Sequence, residues 1–126
     1  MKTGVETFEE VQTSFILGGA PVLADEETIV SGAGVLVAGT VLGKITASGK
    51  YKTALAASND GSETPHRILA VDVDATAADV KAPAYKAGNF DPDNLTLGTG
   101  ITVAALKAAF DGTPIFIASS PIVLQS

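Results

Sequence analysis

The sequence contains no cysteine and no tryptophan, and only 6% of its residues are aromatic. The absence of cysteine excludes disulfide bonds, metal sites built on thiolates and a cysteine nucleophile. Because large aromatic side chains are few, the core has to be built from valine, isoleucine, leucine and alanine. With 126 residues the chain is long enough for one domain with a modest core, and self-association would add apolar burial that the monomer lacks.

Basic residues are also scarce. Eight Lys and Arg oppose fourteen Asp and Glu, which gives a formal net charge of −6. Without a basic cluster to offset phosphate charge, we expect no direct binding to nucleic acid. No apolar run approaches the ~20 residues of a membrane-spanning helix, and the N-terminus lacks the basic and apolar regions of a secretory signal. We therefore expect no membrane partner.

The best-defined local pattern is a hairpin followed by a loop and a third strand. Polar and apolar residues alternate over 40–48 and again over 51–57, the period of two expected of a half-buried strand. Gly49 lies between the two runs, and glycine accepts the positive φ of a tight turn, so the pattern predicts a β-hairpin. Residues 58–65 are rich in Ser, Asn, Asp and Gly and end at a proline, which predicts a loop. We expect the next strand at 68–73.

A helix is predicted at residues 102–111. Gly100 or Thr102 can cap its start, its alanines favour helix, and Gly112 ends it. Three apolar residues share one face, which we expect to cover the sheet: Val103, Leu106 and Phe110. Together with the strands, this helix predicts a single compact domain that is mostly β.

Three further segments complete the expected fold. Residues 75–86 alternate weakly, and Pro83 predicts that any strand there lies at a sheet edge, because proline cannot donate to a ladder. Phe90 lies in a turn-rich segment, where we interpret it as a residue that fills the core. The apolar runs at 115–117 and 122–124 predict terminal strands.

Asp72 and Asp74 are the nearest approach to a catalytic pair. Two residues apart on one strand, they would share a face at a separation of about 6.6 Å. That distance is too large for a shared proton and wide for a single ion, so we interpret both as part of a solvated strand face. His66 would need an orienting partner and a nucleophile to act as a base, and we interpret it as structural. The sequence predicts no cofactor and no metal site.

Residues 1–27 differ from the rest of the chain. Their apolar side chains are scattered among acidic ones, and a glycine-rich segment ends at Pro21. A short helix over 6–13 and an extended arm fit the pattern equally well. The residues alone leave open whether this segment docks on its own domain or reaches a partner.

Several short stretches can be considered together: residues 39–46, 48–51, 68–70 and 88–90, with Asp72, Asp74 and Leu95. In this order and spacing they resemble the phage head decoration protein D family, the lambda-type proteins that stabilise capsids. The resemblance covers roughly residues 32–110. Near the N-terminus, Glu6, Thr7 and Phe8 resemble the arm of these proteins.

The resemblance implies a β-clip fold and a structural role. It implies a homotrimer that binds the major capsid protein at local threefold sites on the outside of an expanded head and stabilises the shell against packaged DNA. The implied location is the virion surface, after synthesis in the bacterial cytoplasm. The resemblance also favours a capsid-binding arm at 1–27 and a β-rich decoration domain at 28–126. The arm residues expected to bind the shell are Thr7, Phe8, Val11, Phe15, Ile16 and Leu17.

Two other classes of function stay open from the sequence. A small trimeric β enzyme would use Asp72, Asp74 and His66 as acid–base residues. A binding module for a small ligand, glycan or peptide is the other alternative, and the scarcity of aromatic side chains speaks against sugar stacking. For a structural protein we expect no catalytic residues at all.

Overall fold

A computed structural model describes residues 16–17 and 22–117 of the chain. The fold is organised around one long strand, β8 (Val80–Phe90). The α-helix is α1, Val103–Phe110, and a short 3-10 helix occupies Pro92–Asn94. The strands are β1 (Ile16–Leu17), β2 (Leu23–Ile29), β3 (Gly34–Leu36), β4 (Val41–Lys44), β5 (Tyr51–Thr53), β6 (Pro65–Leu69), β7 (Val73–Ala75), β8 (Val80–Phe90) and β9 (Ile115–Ile117).

Five of these strands close into a small barrel. β8 pairs with β2 and with β6, β6 pairs with β4, and β4 pairs with β5. Ile29 of β2 then pairs in parallel with Tyr51 of β5 and completes the ring. Closure satisfies backbone groups that an open sheet would leave at its edges. Strands of the barrel share a core cluster with β3 and β7, composed of Ile29, Leu36, Leu42, Tyr51, Leu69, Ala75, Ala82 and Ala84. The prediction of a mostly β domain is confirmed.

β8 is the central strand, which contradicts the prediction of an edge strand at 75–86. It is 11 residues long and pairs with β2 and β6 in the barrel and with β1 and β9 at its last residues. Pro83 is accommodated because it lies where pairing with β6 stops. Its carbonyl accepts the amide hydrogen of Ala70 at 3.0 Å, and no N–H is required in return.

The predicted hairpin is confirmed in β4 and β5, although its strands are shorter than expected. The two strands pair antiparallel, with Lys44 opposite Tyr51. Gly49 has a φ of 75° in the connecting turn, the positive value that favours glycine there. The second strand ends early because the chain turns towards the loop before α1, where the amide of Ala56 donates to the carbonyl of Thr99 at 3.1 Å.

The predicted strand at 68–73 is wrong in its second half. The chain leaves the barrel after β6 and enters β7, which pairs only with β3 in a separate two-stranded ribbon. Asp72 lies at the break, where its Oδ1 accepts the backbone N–H of Ala38 at 2.8 Å. As a result Val71, which strand alternation would direct into the core, is 41% exposed.

The predicted helix is confirmed as α1. Its N-cap is Thr102, whose hydroxyl accepts the N–H of Ala105 at 3.1 Å. Leu106 and Phe110 are buried on the inner face, in the same core cluster as the fully buried Phe90, which fills the core as predicted. Within residues 16–17 and 22–117, no helix is long and apolar enough to cross a membrane.

The chain after α1 continues into β9, which confirms the strand predicted at 115–117. The second terminal strand, predicted at 122–124, lies outside the described residues. β9 pairs in parallel with the end of β8, and this places it beside α1.

Replacing Phe90 with alanine should lower the free energy of unfolding by about 3–5 kcal/mol, because it leaves a cavity where a 0% exposed ring packs. The matched control is Phe116→Ala, whose ring is 56% exposed and whose loss should cost less than about 1 kcal/mol. Urea denaturation followed by circular dichroism measures both variants. Equal losses for the two would contradict the burial described for these rings.

Candidate functional site

The last residues of β8 lie between β1 and β9 and form with them a three-stranded end sheet. Ile16 of β1 and Ile117 of β9 are both register partners of Phe90. Both isoleucines pack against the core cluster that contains Phe90, so this row of the end sheet faces inward. The adjacent row faces outward, because side chains alternate along a strand. In that row Phe116, the register partner of Asn89, is 56% exposed.

Two of the six residues predicted to bind a capsid lie within the described structure. Ile16 is half-buried and packs partly against the protein's own core, whereas Leu17 is the backbone register partner of Asn89. β1 therefore joins the predicted arm to the edge of β8. The other four residues lie outside the described part of the chain: Thr7, Phe8, Val11 and Phe15.

The predicted division of the chain at residue 27 falls within β2. This strand pairs with β8 along its length, with Leu23 opposite Ala87 and the fully buried Ile29 opposite Val80. Residues 23–27 are therefore paired in the sheet. The division into an arm at 1–27 and a domain at 28–126 stays a prediction about function.

Several large apolar side chains are exposed, and the sequence analysis did not single them out. Leu23, 52% exposed, and Phe116 lie on strands that pair with the second half of β8. A separate set lies on the ribbon of β3 and β7 or close to it: Val35, Val37 and Val71. Alternation within β9 places Phe116 on the face opposite to Ile115 and Ile117, but the sequence pattern does not say which of the two faces the core covers.

An apolar groove of ≈ 410 Å³ lies between α1, the start of β6 and the later part of β8. Charged groups at its rim are paired within the chain: Lys86 Nζ lies 3.0 Å from Asp25, and Arg67 Nε lies 3.5 Å from Glu27. The groove can accept an apolar side chain, and it offers few free polar groups to orient a sugar. Its apolar lining includes Leu23, Pro65, Ala87, Phe110, Pro114 and Ile115.

Asp72 and Asp74 do not share one strand, as the sequence had suggested, because β7 begins between them. Asp72 accepts the N–H of Ala38, and Asp74 accepts the N–H of Thr76 at 3.1 Å. Hydrogen bonds from the side chain and backbone of Thr76 hold the pKa of Asp74 below its ordinary value. Each carboxylate thus fixes a local bend. Across the described residues, no group of three His, Cys, Asp or Glu side chains could hold a metal ion.

His66 lies at the start of β6 among groups that do not form a catalytic relay. Arg67 Nη1 lies 3.0 Å from His66 Nδ1, and the hydroxyl of Tyr51 lies 3.4 Å from the same nitrogen. Because a guanidinium can only donate, Nδ1 accepts and the ring is neutral. Burial, and next the positive charge of Arg67, lower the pKa of His66. Ser62, in the adjacent loop, instead donates its hydroxyl to Asp60.

The lowered pKa of His66 predicts that acid destabilises the fold. As the pH falls through about 6.5, the unfolded chain takes up more proton at His66 than the folded chain does, so the free energy of unfolding should fall there. The variant His66→Gln should lack this component and keep only the losses below about pH 4 that come from carboxylates. Urea midpoints at about pH 7.5 and about pH 5.5 test the prediction. A difference between the two midpoints that is the same in both proteins would contradict it.

The sequence matches one known protein family over most of its length. The family model described as Bacteriophage lambda head decoration protein D matches residues 6–116. No curated protein matches the chain. The matched region contains β1 to β8, α1 and the first two residues of β9, and it confirms the resemblance seen over residues 32–110. The chain therefore belongs to the bacteriophage lambda head decoration protein D family and is a structural protein of the phage capsid.

Proposed function

We propose that this head decoration protein is a cement protein that binds as a homotrimer at local threefold sites on the outer surface of the phage head. Family membership gives the coarser role, a virion protein that binds the capsid. The observation that carries the proposal is the match over residues 6–116, which includes most of the predicted arm as well as the folded domain.

The N-terminal arm is the proposed attachment to the major capsid protein. β1 pairs with the end of β8, and Ile16 is held by the protein's own core. An attachment segment that is already fixed at one end by pairing loses less conformational freedom on binding than one fixed nowhere. An extended arm that adds a strand to a sheet edge of the shell gains backbone hydrogen bonds, while alternate side chains supply apolar contact. Phe8, Val11 and Phe15 are the proposed apolar contacts.

A trimer fits both the composition and the mechanical task. The described core consists almost entirely of aliphatic side chains, with Tyr51, Phe90 and Phe110 as the buried aromatics, so contacts between copies would add apolar burial. Three arms on one particle also bind together. Once one arm is attached, the other two face a high effective concentration of shell, which strengthens attachment without any new contact.

Stabilisation of the head follows from where such a trimer would bind. Packaged DNA presses the shell outward and pulls neighbouring capsid subunits apart. A trimer at a threefold site contacts several subunits at once, and separating them would require loss of the area buried under each arm. The net charge of −6 keeps free copies soluble before they attach, in the bacterial cytoplasm where we propose they are made.

The proposed role needs neither catalysis nor a cofactor. The three residues considered for acid–base chemistry each have a local structural partner: Asp72 binds the N–H of Ala38, Asp74 binds that of Thr76, and His66 lies against Arg67. We propose on this basis that the protein is not an enzyme.

Deleting residues 2–14 should leave a folded protein that no longer binds shells. The deletion removes Thr7, Phe8 and Val11 but retains β1, whose Ile16 packs in the core. Co-sedimentation with expanded, undecorated heads, assembled from the major capsid protein of the same phage, measures binding. Circular dichroism and the urea midpoint verify that the truncated chain is folded.

The matched control is the double variant Asp72→Asn, Asp74→Asn in the full-length chain. It removes both charges considered for catalysis and should bind heads as the wild type does. Saturable binding that survives the deletion would refute attachment through the arm. Loss of binding in the double variant would instead indicate that the ribbon of β3 and β7 takes part in binding the shell.

A further inference from the structure

We propose that the outward face of the end sheet, centred on Phe116, is a second contact with the capsid shell, in which the Phe116 ring packs against apolar side chains of the major capsid protein. This inference rests on the proposed function, because it assumes that the arm attaches to that shell. It adds a contact made by the folded domain itself. In the proposed function the arm alone makes the attachment.

The register of the end sheet defines this face. Leu17 of β1 and Phe116 of β9 are both register partners of Asn89, so the three residues form one row across the sheet. The neighbouring row, with Phe90 at its centre, packs into the core. Side chains of adjacent rows point to opposite faces, and Phe116 is accordingly 56% exposed.

The distance from Phe116 to the arm is short. Neighbouring strands lie about 4.8 Å apart, so the Cα atom of Phe116 is about 10 Å from that of Leu17. Leu17 is itself one of the predicted shell contacts. A shell surface that meets the chain at β1 therefore lies within reach of the Phe116 ring in the same end sheet.

The first and the last strand that the structure describes both belong to this sheet. Fifteen residues precede β1 and nine follow β9, and these two strands flank the final residues of β8. An arm that enters β1 from a bound shell brings the shell to this end of the molecule. The ribbon of β3 and β7, which carries the exposed Val35, pairs with neither β1 nor β9.

The surroundings of Phe116 suit an apolar partner. A cavity of ≈ 230 Å³ adjoins the ring between the end of α1 and β9, and its lining includes Phe110, Ile115 and Ile117 together with one basic and one acidic residue, Lys107 and Asp111. The two charges are of opposite sign, so the site favours neither an acidic nor a basic segment. Aromatic side chains, phenylalanine among them, are enriched at protein interfaces relative to the rest of the surface.

The test is a titration of expanded, undecorated heads with the full-length protein and its variants. Phe116→Ser should weaken binding at least about tenfold, the usual cost of truncating an aromatic anchor. Phe116→Leu retains apolar bulk and should recover part of that loss. Val35→Ser is the matched control, since it makes the same kind of change at a residue that is 70% exposed on the ribbon, and it should bind as the wild type does.

Light scattering of each variant in solution separates a shell contact from a contact between copies. The proposal expects every variant to keep the oligomeric mass of the wild type. A lower mass for Phe116→Ser would overturn it and assign the ring to an interface between copies of this chain. Wild-type affinity of Phe116→Ser would also overturn it, and so would an equal loss in Val35→Ser.

The outcome is distinguishable from failure of the proposed function. If deletion of residues 2–14 abolishes binding while Phe116→Ser binds fully, the second contact is refuted and the arm mechanism stands. If the deletion binds as well as the wild type while Phe116→Ser does not, the domain makes the attachment and the arm mechanism fails. If neither change affects binding, both proposals fail.

Discussion

The pairing of β8 on both edges is the constraint on which the rest of the structure depends. Its first half belongs to the barrel, between β2 and β6, and its last residues belong to the end sheet, between β1 and β9. Because the backbone hydrogen bonds of β8 fix its position in both sheets, the end sheet is held in a defined position relative to the barrel. Phe90 strengthens this junction, since it lies at the end of the strand and is fully buried in the core.

This arrangement explains how a small domain with few aromatic residues can hold β1, a described part of the predicted arm. The barrel closes on itself and buries a largely aliphatic core, and its ring of strands includes neither β1 nor β9. The end sheet is separate from the barrel, and in it β1 and β9 pair with the last residues of β8. The proposed function would use this division, with the barrel as the body of the protein and the segment that enters β1 as the proposed attachment.

The short polar side chains that resembled an active site are used to hold connections in place. Asp72 and Asp74 each accept a backbone N–H at a bend, and Asp60 accepts both the N–H and the hydroxyl of Ser62 in the loop before β6. Such loops cross the surface, where their backbone groups would otherwise rely on water. Gly43 illustrates how closely this loop packs, because a Cβ atom at that position would overlap the backbone of Ser62. The family's structural role is consistent with this use of polar residues.

The sequence by itself determined the elements whose causes are local: the hairpin with its positive-φ Gly49, the helix capped by Thr102 and the strand β9. It also determined the family to which the chain belongs. Only the tertiary structure decided which strand is central. Pro83 indicated an edge because proline cannot donate, but its position at the end of pairing with β6 makes a donor unnecessary. Likewise, alternation within β9 does not reveal which face the core will cover, and the exposure of Phe116 follows from pairing with β8 and the burial of Phe90. Partners distant in sequence set both outcomes, and no local pattern encodes where those partners will lie.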